Sequence, residues 1–166
     1  PFVLTWHPSN EDTPAVADPE VALRKTLAFW SQWSHEGTPV TGPYREAITR
    51  SLLTLKALTY QPTGGIVAAL TTSLPEQIGG PRNWDYRYCW LRDSTYTLQA
   101  LISAGYLAEA RAWREWLLRA VAGDPAQLQI MYALDGTRRL PEAELDWLAG
   151  YEGSRPVRTG NAASKQ

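Results

Sequence analysis

From Ser94 to Ala108 the chain carries no charged residue, and the next stretch, Leu107 to Val121, is rich in them. A helix without charges has to be covered on most of its surface. The following stretch places Leu107, Ala110, Trp113, Leu117 and Val121 at helical spacing, while Glu109, Arg111, Arg114, Glu115 and Arg119 supply a polar face. This is the pattern of an amphipathic outer helix. Gly105 separates the two. A buried helix followed directly by an outer one predicts a layered helical domain.

Two more helices precede this pair. Asp18-Pro19-Glu20 is a start signal: a capping carboxylate, proline at the first helical position, then an acid near the positive end of the helix dipole. Leu23, Leu27, Trp30 and Trp33 form one apolar stripe, and Gly37 ends the helix. The next helix starts near Pro43. It carries Tyr44, Ala47, Ile48, Ser51, Leu52, Leu55 and Leu58 on one face and Leu53, Ala57 and Tyr60 on another, so it is expected to be buried on both sides.

The remaining segments read as strands and loops. Phe2 to Trp6 is β-rich and reads as the last strand of something upstream, and residues 8–17 read as a linker. Residues 61–83 hold two Gly-Gly pairs and three prolines, a long loop with an ordered piece expected at Ile66 to Leu70. Loops of this length inside a domain usually serve function. No Gly-Lys-Ser/Thr follows the glycines, so it is not a phosphate cradle. Gln129 to Leu134 reads as extended and turns at Asp135-Gly136; Pro141 to Gly160 reads as irregular; Asn161 to Gln166 reads as the first turns of a helix.

Charge and cysteine usage exclude several classes. A net charge of −1 gives no general attraction to nucleic acid or anionic membrane, and no run approaches the ~20 apolar residues of a membrane helix. Cys89 is the single cysteine, so no disulfide forms within the chain and no multi-cysteine zinc site exists. No leader segment is visible, and a cytoplasmic location is favoured. His7 and His35 read as solvated, and no metal site or cofactor is expected. Eight Trp and eight Tyr stand against two Phe. Aromatics with a polar tip suit wet binding surfaces, or an aromatic-rich helical core.

Those aromatics concentrate in Asn83 to Ser94, NWDYRYCWLRDS. Trp84, Tyr86, Tyr88 and Trp90 share one face of an extended chain, with Asp85, Arg87 and Cys89 on the other. Arg92-Asp93 follow at the mouth of the charge-free helix. Sugars pack their C–H faces on aromatic rings, while their hydroxyls need groups of fixed geometry such as a guanidinium fork or a carboxylate. The segment offers both. It fits equally a buried strand whose arginine and aspartate pair with each other.

The motif Asn-x-Asp-Tyr-x-Tyr-x-Trp-x-Arg-Asp-Ser resembles the glucoamylase-type hydrolases of glycoside hydrolase family 15. The stretches Pro62 to Glu76 and Gly150 to Asn161 look like its bacterial branch, which includes glucoamylases, glucodextranases and trehalases. The resemblance implies a mainly α fold. Residues 1–8 would end an N-terminal β-sandwich, 9–36 would be a linker with a helix, and 37–166 would be the first part of an (α/α)6 catalytic barrel. It also implies roles. Arg92 and Asp93 match the pair that grips the non-reducing glucose, Tyr86 and Trp90 match aromatics that wall the same subsite, and Arg155, on the shorter motif Arg-Pro-x-Arg, matches a basic residue reaching across the cleavage point. Trp84 departs from the proline often found there.

The implied reaction is inverting hydrolysis of a terminal α-glucosidic bond. A carboxylic acid protonates the leaving oxygen, and a carboxylate about 6.5–9.5 Å away activates water. In the family both glutamates lie downstream, so no catalytic residue is assigned within 1–166, and the chain alone is expected to be inactive. Glu142, Glu144, Asp146 and Glu152 read as solvated. The expected partner is an α-glucoside or oligosaccharide substrate. Trehalose, malto-oligosaccharide and dextran specificities remain open, as do a related phosphorylase, a non-catalytic sugar-binding relative and a helical interaction module.

Overall fold

A computed structural model describes residues 2–123 and 125–165. The chain divides into two units, Pro1–Pro39 and Val40–Gln166. In the first, α1 spans Pro19–Glu36, and the Asp18 carboxylate accepts from the Glu20 and Val21 amides at 2.9 and 3.1 Å. The start and the stop at Gly37 are those expected. Phe29, Trp30 and Trp33 form a run of edge-on contacts, with centroids 5.2 and 6.4 Å apart. Leu23 and Leu27 of the expected stripe are exposed, and only Trp33 of that stripe is buried. Phe2 to Trp6 forms no strand among the described residues. Strand pairing needs a partner backbone, and this segment is exposed. Pro1 and Gln166 lie outside the described residues.

The second unit carries α2 (Arg45–Ala57), β1 (Thr59–Tyr60), β2 (Gly65–Ile66), β3 (Cys89–Trp90), α3 (Leu91–Ser103), α4 (Leu107–Ala120), β4 (Met131–Tyr132), β5 (Ala143–Leu145) and β6 (Val157–Thr159). The strands pair antiparallel as β1–β2, β3–β4 and β5–β6. The break after α3 has a specific cause. Gly105 sits at φ 87°, its amide donates to Ile102, and the Tyr106 amide donates to Leu101 at 2.9 Å. This closing motif satisfies the last carbonyls and requires a left-handed residue, hence glycine. It turns the chain so that α3 packs on both α4 and α2.

The core is built around Cys89, Trp116, Ala120 and Tyr132, flanked by Leu91, Trp113, Leu117, Val121 and Leu134. Trp116 meets Tyr132 edge-on at 6.1 Å, and its indole nitrogen donates to the Leu134 carbonyl at 2.8 Å. Gly64, at φ 85°, makes the β1–β2 turn, and a Cβ there would collide with the Ala112 carbonyl.

Three expectations change on folding. α2 buries only Leu52, with Ile48 and Tyr44 exposed, so the two-sided burial is not met among the described residues. α3 buries Ser94, Leu98 and Leu101 and leaves Tyr96 and Ile102 in solvent. α4 keeps its expected amphipathic face, with Trp113, Leu117 and Val121 against the core beside the buried Trp116 and Ala120, but Glu109 of the polar set is buried and Leu107 of the apolar stripe is exposed. The Glu109 carboxylate is accommodated by Lys56 of α2 at 2.9 Å. The stretch read as irregular, Pro141 to Gly160, contains the β5–β6 hairpin. The extended segment at Gln129 to Leu134 is present as β4, with its turn at Gly136.

Candidate functional site

The long stretch after β2 lies along the aromatic segment. Amides of Ala68, Ala69 and Ser73 donate to the carbonyls of Tyr88, Tyr86 and Trp84, each at 3.0 Å, and Thr72 bridges to Asp85. This pairing holds residues 84–88 extended, and extension makes alternate side chains diverge. Asn83, Asp85 and Cys89 are buried, and Trp84, Tyr86 and Trp90 line a cleft of about 520 Å³. Tyr86 and Trp90 have centroids 5.8 Å apart. Glu142, Arg158 and Asn161 add polar groups to the wall, with Ala162 and Ala163 beside them.

The buried polar residues of the extended stretch, Asn83 and Asp85, both have partners. Asp85, 1% exposed, receives Nε and Nη2 of Arg87 at 2.9 Å and the Arg87 amide at 3.1 Å. That hydrogen bond raises the Arg87 pKa further, against the lowering effect of burial. Asn83 donates to the carbonyls of Arg155 and Pro156, both at 2.9 Å, and accepts from Arg158 Nε at 3.1 Å. Asn161 donates to the Asp85 carbonyl at 3.1 Å. The Tyr88 hydroxyl accepts from the Gly160 amide at 3.0 Å, and burial, followed by the nearby Asp85 charge, raises its pKa. The aromatic segment and the stretch around β6 are thus joined by hydrogen bonds.

Of the residues singled out in the sequence, Tyr86 and Trp90 come together in the cleft. Arg92 and Asp93 open α3 and pair with each other at 3.0 Å, with side-chain exposures of 74% and 40%. Both are therefore reachable from solvent. The Arg155 side chain is exposed, and its carbonyl is held by Asn83. Sequence reasoning missed Glu142 and Arg158 as wall residues. Arg158 is half of the Arg-Pro-x-Arg motif, but Glu142 stands in no motif and its polar sequence context predicts a solvated carboxylate. Among the described residues, no three His, Cys, Asp or Glu side chains gather as a metal site. No helix described is long and apolar enough to cross a membrane.

Aromatic stacking faces in a cleft with polar side chains in its wall can hold a neutral polyhydroxylated ring. Comparisons with known proteins point the same way. Residues 42–166 match the profile of Glycosyl hydrolases family 15. The chain is 45% identical to the trehalase of Mycolicibacterium smegmatis, over 98% of its own length and 25% of the relative's. It is 44% identical to the trehalase of Mycobacterium tuberculosis, over 98% of this chain and 24% of that one. With trehalase 1 of Sulfolobus acidocaldarius the identity is 48%, over 90% of this chain and 26% of the relative. The chain therefore spans about a quarter of the length of the curated relatives it matches. No solved structure matches it.

Proposed function

The chain belongs to glycosyl hydrolase family 15, and from that membership we propose that it supplies part of the glucose-binding subsite of an inverting α-glucoside hydrolase. The observation that carries this reading is the cleft, where Trp84, Tyr86 and Trp90 present aromatic walls beside Glu142, Arg158 and Asn161. In this reading the C–H faces of a terminal glucosyl ring pack on Tyr86 and Trp90. Arg92 and Asp93 exchange their mutual ion pair for the ring's hydroxyls, the guanidinium donating and the carboxylate accepting. Arg155 reaches toward the leaving group. The helices of residues 37–166 form the first part of an (α/α)6 barrel.

The chemical step needs an acid for the leaving oxygen and a base for water on the opposite face of the ring. Both are assigned to parts of the protein other than this stretch, whose role is to hold and orient the sugar. Trehalose is the favoured substrate, because the relatives quoted above carry the name trehalase.

The test uses the full-length protein with trehalose, maltose and isomaltose, with and without inorganic phosphate. Phosphate-independent release of glucose is expected, fastest from trehalose, with the β-anomer appearing first from the hydrolysed unit. Asp93→Asn keeps the side chain's shape but removes the charge that accepts from hydroxyls. It should lower kcat/KM roughly 10- to 100-fold. Unchanged activity in that variant removes Asp93 from the subsite, and absence of any glucose release removes the hydrolase reading.

A further inference from the structure

Arg158 has every guanidinium nitrogen and one face of its plane engaged by this chain's own residues. It lies on β6 directly opposite Glu144 of β5. Its Nη2 meets the Glu144 carboxylate at 2.8 Å, its Nη1 meets Glu142 at 3.0 Å, and its Nε donates to Asn83 at 3.1 Å. The guanidinium carbon stands 4.8 Å from the centre of the Trp84 ring. Its backbone is fixed as well: the Arg158 amide donates to the Ser73 hydroxyl and its carbonyl accepts from Thr72, both at 2.7 Å. All three guanidinium nitrogens have partners, and the side chain is only 11% exposed. Glu142 is tied onward, its second oxygen accepting from the Ala162 amide at 3.2 Å.

We propose that Arg158 is a positioning residue that fixes Trp84 and Glu142 as a rigid part of the cleft wall. This rests on the sugar-binding reading of the cleft and deepens it. The planar fork matters chemically. One flat guanidinium can lie on an indole while donating in its own plane to two carboxylates and an amide. A lysine ammonium keeps the charge, but it neither stacks flat nor spans three acceptors at once. Without the fork, Trp84 and Glu142 regain rotamer freedom that an incoming sugar must remove, so the cost falls on binding rather than on bond cleavage.

Four variants of the full-length protein test this: Arg158→Lys, Trp84→Phe, their combination, and Glu144→Gln. Glu144 is not part of the cleft lining, so an effect there has to travel through Arg158. Arg158→Lys is expected to raise KM for the α-glucoside about 10-fold, with kcat changed less than about 3-fold. Trp84→Phe should raise KM comparably, and the double variant should be little worse than the worse single one, because both break the same contact. Glu144→Gln should raise KM about 2- to 3-fold. Unchanged KM in Arg158→Lys overturns the proposal. So does a fall in kcat and melting temperature without a change in KM, or strict additivity of the two single effects. A wild-type protein that releases no glucose removes the functional reading and this inference with it; a working wild type with an indifferent Arg158→Lys removes this inference alone.

Discussion

Cys89 shows what the period of two in the aromatic segment accomplishes. The sequence places it on the side away from the aromatics, and it is fully buried beside Trp116 and Tyr132. Burial pushes its thiol from 9.0 up to about 12. Below pH 9 the thiol is protonated in both folded and unfolded chains and contributes no pH dependence. Between pH 9 and about 12 the unfolded chain gives up the proton while the folded one keeps it, so stability falls as pH rises through that window. At pH 8 a thiol reagent is therefore expected to leave the folded protein untouched and to label one thiol per chain in denaturant. Rapid labelling without denaturant contradicts the burial. The neighbourhood of Tyr86 and Trp90 was legible for the same reason as that of Cys89: extended backbone alone fixes which side chains share a face. Arg158 was not, since its partner Asn83 lies 75 residues away in sequence. No local pattern encodes such a pairing.

At the scale of elements, the helix starts and stops were readable because they are set by local chemistry, as at Asp18, Gly37 and Gly105. The burial of Glu109 in α4 was not. Arg111, Arg114, Glu115 and Arg119 face solvent as the amphipathic pattern expects, yet Glu109 is 5% exposed and its carboxylate is met by Lys56 from α2. A buried carboxylate is tolerated when a cation travels with it, and that cation is supplied by another helix. Lys56→Met should therefore destabilise the fold by about 3 kcal/mol, read as a shifted midpoint in urea unfolding. Lys56→Met with Glu109→Leu should recover most of that loss, because no charge is left behind. If the double variant is as unstable as the single one, packing around the Lys56 stem rather than charge is the cause.

For the whole molecule, the charge-free helix predicted cover on most of its surface, and the chain provides it on one face. α3 packs through Ser94, Leu98 and Leu101, while Tyr96 is 68% exposed and Ile102 is also in solvent. α2 likewise shows Ile48 to water. The contact inferred between α3 and α4 is present, while among the described residues Tyr96 and Ile102 of α3 and Ile48 of α2 stay exposed. Relatives that match this chain over nearly all its length are about four times as long. Exposed apolar helix faces of this kind favour self-association. The 166-residue chain produced by itself should bind a hydrophobic dye, form concentration-dependent oligomers in sedimentation, and release no glucose from trehalose. Under the proposed function, dye binding per mole by the full-length protein should be lower and glucose release should appear together with that fall. A monomeric 166-residue chain that releases glucose would overturn both the assignment of the catalytic pair elsewhere and the account of why α3 carries no charge.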